Sequence, residues 1–320
     1  MPQSSNRIFC RSSHQMPELE TGSVRLLFES PPYERMNACC REPLCLAAFS
    51  GEEFAERFKM FLPERFRALH LQGSYILNFQ PQVVDGFLSP TAYLLPQAVV
   101  AAGFHLVDSY IWHKPNAAPF SPERRLKGSY EVFWHFVKSR EYVFNKDAVR
   151  EPHLWAGRDH RAEKYHPLGK DPGNVLSLPK SQDQTTFRHP GKMAEGLASW
   201  FIKLLSDPGD LVADGFAGTG QTGVEALALG RNFIGCEFHE ERAEQARERL
   251  GINEEEHIMS KPWLNAKEAA EYLGLSQATV YSKTSRKELP AHKQGRIVRY
   301  HREELDAWLR GRAPAAAAAQ

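Results

Sequence analysis

A strand-like apolar run that ends in an acid and breaks into glycines before an amphipathic helix leaves a chain few ways to fold, and Leu211–Ala226 is such a run. Leu211-Val212-Ala213-Asp214 reads as a strand, Gly215-Phe216-Ala217-Gly218-Thr219-Gly220 as a turn, and Thr222-Gly223-Val224-Glu225-Ala226 as the opening of a helix. Glycines lack a Cβ, so backbone can pass close to a ligand where strand gives way to helix. Roughly twenty residues on, Asn232-Phe233-Ile234-Gly235-Cys236 reads as a second strand ending at Glu237, where a carboxylate can accept hydrogen bonds from both hydroxyls of a ribose. Gly215–Thr222 also satisfies most of the P-loop pattern, but Gln221 stands where that pattern has lysine. Without that cation the β- and γ-phosphates lose their counter-charge, so an adenosine-containing cofactor suits the loop better than a nucleoside triphosphate.

Further apolar runs at Val24–Phe28, Tyr75–Phe79, Leu106–Trp112 and Val132–Val137 read as strands. Helical periodicity marks Glu52–His70, Ala92–Ala102, Lys192–Leu205, Gln221–Leu229 and Glu240–Leu250. The alternation predicts an α/β fold built on a parallel sheet with helices on both faces. Between about 145 and 188 the periodicity fades into Gly, Pro, His and charged residues, and a long irregular stretch of that kind is a candidate for target recognition. A polar linker, Gly251-Ile252-Asn253-Glu254-Glu255-Glu256, separates a first domain (1–255) from a second compact pattern (261–312). Residues 313–320 are low in complexity and are expected to form a disordered tail.

With 320 residues, 42% of them hydrophobic and 25% charged, the chain can build one large core and one small one. The amino end lacks the apolar run of a signal peptide, and no stretch approaches the ~20 apolar residues of a bilayer span, so a cytoplasmic location without a membrane partner is expected. Five cysteines (Cys10, Cys39, Cys40, Cys45, Cys236) show no paired CxxC spacing, which favours neither a disulfide framework nor a metal site. Net charge is only +1, but residues 261–312 carry eleven Lys or Arg against six acids, which concentrates basic character in the second domain.

The strand Val24–Glu29 runs into Ser30-Pro31-Pro32-Tyr33. Prolines fix the backbone and aim its carbonyls, a rigid carbonyl can hold an amine hydrogen, and a tyrosine beside it can stack on a base turned out of its helix. A lone PPY is also consistent with a structural turn. Here it is accompanied by Trp112-His113-Lys114-Pro115-Asn116, by Glu131 through Ser139, and by His189-Pro190-Gly191-Lys192 ahead of the glycine loop. On these motifs, over about residues 7–250, the chain resembles the DNA amino-methyltransferases of the permuted beta-type arrangement, in which the SPPY or DPPY segment precedes the cofactor half.

That resemblance implies a Rossmann-like S-adenosylmethionine-dependent methyltransferase sheet and a set of roles. Ser30, with the carbonyls around Pro31 and Pro32, would hold the target amine while Tyr33 stacks on the flipped base. Asp214, Phe216, Gly218 and Gly220 would enclose S-adenosylmethionine, Glu237 would hold its ribose, and His189 and Lys192 would support its methionine end. SPPY is the form associated with cytosine N4 methylation and DPPY with adenine N6, so cytosine N4 is the expected target and adenine N6 the alternative. An inactive fold serving as a DNA-binding regulator, or an RNA or protein methyltransferase, are the readings from other classes; the retained Tyr33, Asp214 and Glu237 argue against decay. Cytosine C5 chemistry needs a thiolate nucleophile, normally in a Pro-Cys segment, and none of the five cysteines follows a proline. Two departures stand out: Arg11-Ser12-Ser13 lies where the family has a Gly-Asp pair, and Gly215 lies where proline is common.

In the second domain, Asn265 through Leu275 reads as a capped helix ending at Gly274, and Ser276 caps another through about Leu289. His292–Tyr300 alternates like a hairpin wing, and Arg302–Leu309 forms a last helix. The segment resembles the excisionase-type winged helix-turn-helix. The resemblance implies that Gln277, Thr279, Ser282, Lys283 and Arg286 face the major groove while Lys293, Arg296 and Arg299 meet phosphate. Ala269, Leu273, Val280, Tyr281 and Trp308 read as core. Double-stranded DNA is the expected partner. A second copy of the chain, or a cognate restriction endonuclease without stable association, are the further options the family offers.

Overall fold

The computed structural model describes residues 6–34, 45–117, 123–153, 165–179, 193–252, 263–295 and 297–310. His189, Lys192, Arg296, Cys39, Cys40 and the 313–320 tail lie outside them. The chain divides into two compact units, Met1–Leu250 and Gly251–Gln320.

The first unit runs β1 (Arg7–Cys10), β2 (Val24–Glu29), α1 (Gly51–Phe58), α2 (Leu62–Ala68), β3 (Leu69–Phe79), a short hairpin of β4 (Val83–Val84) and β5 (Phe87–Leu88), then α3 (Thr91–Ala101), β6 (His105–His113), β7 (Tyr130–Val137) and β8 (Val175–Ser177). It continues through α4 (Leu197–Leu205), β9 (Leu211–Asp214), α5 (Gln221–Ala228), β10 (Asn232–Glu237) and α6 (Glu240–Leu250). The main sheet has the order β1-β10-β9-β2-β3-β7-β6-β8.

Strands β1, β10, β9, β2 and β3 are mutually parallel, but β7 is antiparallel to both β3 and β6, so the sheet is mixed where the sequence predicted a parallel one. The cause is local. Strands β6 and β7 follow one another in the chain and are neighbours, and a direct return makes an antiparallel pair, whereas parallel pairing needs a crossover.

The sheet's two faces follow from the period of two along each strand. Leu27, Tyr75, Leu77, Trp134 and Phe136 join Phe54, Phe58, Leu95 and Val99 of α1 and α3 in one buried cluster. One step along, Phe28 and Phe133 turn to the opposite face and meet Phe201 of α4 at ring-centroid distances of 5.6 and 5.1 Å. The helix expected over Glu52–His70 is two helices joined by a 3-10 turn at Lys59–Phe61, with Leu69 and His70 already in β3. Pro63 supplies the reason, since it has no N–H to continue the first helix and suits the first turn of a new one. The expected helix Lys192–Leu205 starts at Leu197, after Gly196 at φ 80°. Within 145–188, the described residues include β8, paired with β6, and a bridge between Glu151 and Lys170.

The topology also places the site. From β9 the chain passes to β10 on one side, and from β2 it passes to β3 on the other, while β9 and β2 lie side by side with Leu26 opposite Val212 and Leu27 opposite Ala213. A crevice opens outside the carboxyl ends of strands where the direction of winding reverses. Those ends are Glu29 and Asp214.

The second unit consists of β11 (Trp263–Leu264), α7 (Ala266–Leu273), α8 (Gln277–Ser285), β12 (His292–Gln294), β13 (Ile297–His301) and α9 (Arg302–Leu309), with the sheet order β11-β13-β12. Asn265 Oδ1 accepts from the N–H groups of Lys267 and Glu268, and Glu268 accepts in return from Asn265 N–H, which makes a complete capping box. Gly274 ends α7 at φ 66°, a conformation that disfavours side chains with a Cβ. Leu264, Ala269, Val280, Leu289, Tyr300 and Leu305 form its own core, with Leu273 and Trp308 packed against it. Tyr281, expected in that core, is 52% exposed. The reason is helical period: Val280 takes the inward position, and its immediate successor, turned about a quarter of the circumference, faces out. Helix α8 stops at Ser285, short of the expected Leu289.

Candidate active site

Ser30, Pro31, Pro32 and Tyr33 leave the end of β2 and line one pocket of about 120 Å³ together with Asp214, Phe216, Ala217, Gly218 and Thr219 from the end of β9. Asn78, Glu131, Met193, Gln221 and Thr222 complete its wall. Segments almost two hundred residues apart in the chain therefore share one cavity.

Tyr33 is 7% exposed and its ring meets Phe79 edge to face at 5.1 Å. Its hydroxyl lies 3.0 Å from Asn78 Oδ1 and donates to Glu131 Oε2 at 2.8 Å. Burial first, then the charge of Glu131, holds the phenol well above its ordinary pKa, so it stays protonated and serves as a donor. Glu131 in turn pairs with buried Lys114, whose Nζ also donates to Gln80 at 2.9 Å. Ser30 Oγ donates to Asn78 Oδ1 at 2.9 Å. With its proton committed there, the Ser30 oxygen presents lone pairs as an acceptor. The sequence motifs include the segments around Lys114 and Glu131 but not Asn78, which β3 carries beside the serine; one Asn in an apolar strand is the available signal.

At the end of β9, Asp214 is buried and accepts from Phe216 N–H at 2.9 Å and from Thr222 Oγ1 at 2.7 Å. Burial, and secondarily the nearby Glu29 carboxylate, lift its pKa to about 7. Glu237 ends β10 and accepts from Gly218 N–H at 2.9 Å and His239 N–H at 2.9 Å, which ties it to the loop while each oxygen keeps further acceptor capacity. Gly218 adopts φ 54° with open space where a Cβ would be. Gly220, in contrast, is a packing glycine: a Cβ there would lie 3.0 Å from Ala246 of α6, and the residue does not line the pocket. Gln221 is held by Arg249 at 2.6 Å and bonds Glu225 at 2.7 Å. Asp214 lines the pocket, whereas Glu237, at the next strand end, is buried and outside the lining; two carboxylates at neighbouring strand ends suit a cationic, ribose-bearing molecule. Among the described residues, no cluster of three or more His, Cys, Asp or Glu could hold a metal ion.

In the second unit, Gln277 at the start of α8 and Arg286, which caps its end, are exposed, as are Lys293 and Arg299 of the β12–β13 hairpin, which turns at Gly295 with φ 61°. Thr279 is half-buried, and its hydroxyl lies 2.7 Å from the capping Ser276. Lys283 reaches Glu288 at 3.3 Å, and Arg286 lies 4.0 Å from the same residue. Exposed pairs of this kind are weak and leave both cations available to a stronger anion.

A sheet of this order, with a glycine loop after β9 and an acid after β10, is the S-adenosylmethionine-dependent methyltransferase fold, and the second unit is a helix-turn-helix. The chain belongs to the N6/N4 DNA methylase family, whose profile matches residues 24–248; a helix-turn-helix domain profile matches 263–313. It is 29% identical over 249 residues to the DNA adenine methyltransferase YhdJ of Escherichia coli, covering 74% of this chain and 80% of that one. It is 30% identical over 258 residues to the type II methyltransferase M1.MboII of Moraxella bovis, covering 72% and 90%. Among solved structures, the cytosine-N4-specific PvuII DNA methyltransferase shares the fold at a TM-score of 0.62 with 21% identity over 87% of this chain and 92% of that one. A DNA modification methylase from Thermus thermophilus in complex with S-adenosyl-L-methionine shares it at 0.55, with 22% identity over 77% and 93%.

Proposed function

We propose that this DNA methyltransferase acts on the exocyclic N4 amine of cytosine. The observation that carries the reading is Ser30: a neutral hydroxyl, with its proton held by Asn78, lines the pocket beside the glycine loop. The serine at that position is the feature that favours cytosine over adenine in the resemblance to SPPY enzymes. Adenine N6 remains the second reading, favoured by the similarity to a DNA adenine methyltransferase.

An exocyclic amine is a poor nucleophile because its lone pair is delocalised into the ring. Ser30 Oγ and the Pro31 carbonyl accept its hydrogens, draw the nitrogen toward tetrahedral geometry and oppose the positive charge that develops there, a preorganised electrostatic effect. Tyr33 stacks on the extruded base, and Glu131 with Asn78 fixes its hydroxyl so that the ring does not turn away. Asp214, Phe216, Gly218 and Glu237 hold S-adenosylmethionine, which when bound supplies an electrophilic methyl group. Seating both reactants at near-attack distance contributes much of the acceleration.

Incubating the protein with DNA and methyl-labelled cofactor, then digesting to nucleosides for mass analysis, is expected to give labelled N4-methyldeoxycytidine. Labelled N6-methyldeoxyadenosine would instead establish the second reading, and no labelled nucleoside would refute both.

The winged unit adds affinity or site choice. Replacing the exposed Lys293 and Arg299 together by alanine is expected to weaken DNA binding. If both meet phosphate, the plot of log affinity against log salt flattens by roughly 0.9 per lost contact. An unchanged slope in a titration from low to physiological salt would remove phosphate contact from their roles. The irregular 145–188 stretch is proposed as the element that reads sequence.

A further inference from the structure

Where β2 and β9 end, a carboxylate with no part in the expected motifs joins the two halves of the pocket. Glu29, the residue before Ser30, is fully buried, and its Oε1 accepts the backbone N–H of Gly215 at 3.0 Å. Gly215 is the residue after Asp214. One hydrogen bond therefore links the first residue of the cofactor loop to the last residue before the amine-holding segment.

The rest of the constellation holds that carboxylate still. Arg65 of α2, also fully buried, lies 2.9 Å from Oε1 through Nη2 and donates to Oε2 from Nε at 3.2 Å. Tyr75 of β3 donates its hydroxyl to Oε2 at 3.0 Å. Arg65 is satisfied on its other side by the carbonyl of Ser13 and by Ser13 Oγ at 2.7 Å. A buried charge pair survives only with this degree of satisfaction.

The arrangement also accounts for the glycine at position 215. A Cβ on Gly215 would sit 2.1 Å from Arg65 Nη2, 2.5 Å from Glu29 Oε1 and 2.8 Å from Ser13 Oγ, and its φ lies outside the left-handed region, so glycine is required for space. A proline there would collide and would lack the N–H that Glu29 receives. Ser13, in the stretch where the family has Gly-Asp, is spent on Arg65.

We infer that Glu29 is a positioning residue for methyl transfer: through the Gly215 N–H it sets the separation between the amine-holding Ser30–Pro31 segment and the cofactor loop. The inference rests on assigning methyl transfer to this pocket.

Two double variants separate the bridge from the buried charges. Glu29→Gln with Arg65→Met removes both charges and keeps an amide oxygen to accept from Gly215. Glu29→Leu with Arg65→Met removes the charges and the acceptor. Using labelled methyl transfer to DNA, without regard to which base is modified, the Gln variant is expected to retain kcat about thirtyfold above the Leu variant, with KM for DNA and for S-adenosylmethionine agreeing within about threefold between them. Equal kcat in the two variants, or a difference that lies wholly in KM, would overturn the inference while leaving the pocket's assignment intact. A parent protein that transfers no methyl group would sink the assignment and the inference with it. Should either variant fail to fold, amide hydrogen exchange in the unaltered protein decides: slow exchange of the Gly215 N–H supports the bridge, and exchange at the rate of an open loop overturns it.

Discussion

Replacing Tyr33 by alanine is expected to lower turnover by at least about a hundredfold while leaving cofactor affinity within a few fold of the parent. The ring lines the pocket, and its loss removes the surface against which an extruded base would stack; base–aromatic stacking is worth roughly 1–3 kcal/mol for a single base. The remaining loss comes from the hydroxyl's partners. Glu131 would lose the donor it has in Tyr33, and Asn78, which orients Ser30, would lose a neighbour 3.0 Å away. Tyr33→Phe separates these contributions. It keeps the ring, takes from Glu131 one buried donor at a cost of about 1–3 kcal/mol in stability, and should give activity between that of the parent and the alanine variant. Single-turnover kinetics with calorimetric cofactor binding measures both. A Tyr33→Ala protein with the parent's turnover would remove the tyrosine from the mechanism.

The second large effect is on pH. Burial, and then Glu29, raise the Asp214 carboxyl from an ordinary value of 3.8 to about 7, so the folded protein binds this proton more tightly than the unfolded chain does. The stability linked to it is therefore fully present below about 4 and is lost as pH rises through about 7. At 1.36 kcal/mol per unit the upper bound is roughly 4 kcal/mol. Asp214→Asn is accordingly expected to melt several degrees higher than the cofactor-free parent at pH 8, and the gap should close near pH 4. Cofactor affinity should move the other way. The sulfonium and ammonium charges favour an ionised Asp214, so the parent's affinity rises as pH increases through 7 and the variant's stays flat and weak. Melting curves and calorimetry at pH 6, 7 and 8 test both; a parent whose affinity ignores pH across that window would show that Asp214 does not meet the cationic cofactor as an anion.

Much of this pocket was legible in the chain because its two segments carry unusual local chemistry. SPPY and the glycine loop announce themselves by prolines and glycines, whose backbone effects are short-range, and both lie at strand ends facing one crevice. Gly220 shows the limit of that signal: a glycine looks alike whether it clears room for a ligand or packs, as this one does, against Ala246. What local pattern could not supply was partnership across the sheet. Asn78, and the use of Glu29 to receive Gly215, depend on which strands become neighbours, and that is fixed by packing of whole faces. Antiparallel β7 was hidden similarly, since its apolar residues fit either direction. In the winged unit, the caps at Asn265 and Gly274 were readable to the residue, but a one-position difference in helical phase put Tyr281 outside.

The hydrogen-bonded anchoring of Tyr33 has a kinetic corollary. A wall that must reorganise to greet each nucleotide adds a conformational step to every catalytic cycle, whereas one already locked by Glu131 and Asn78 has surrendered its freedom when the chain folded. Slow rearrangement, if the cycle contains any, then belongs to the duplex as it opens, and mismatched or pre-opened substrates should be processed faster than perfectly paired ones.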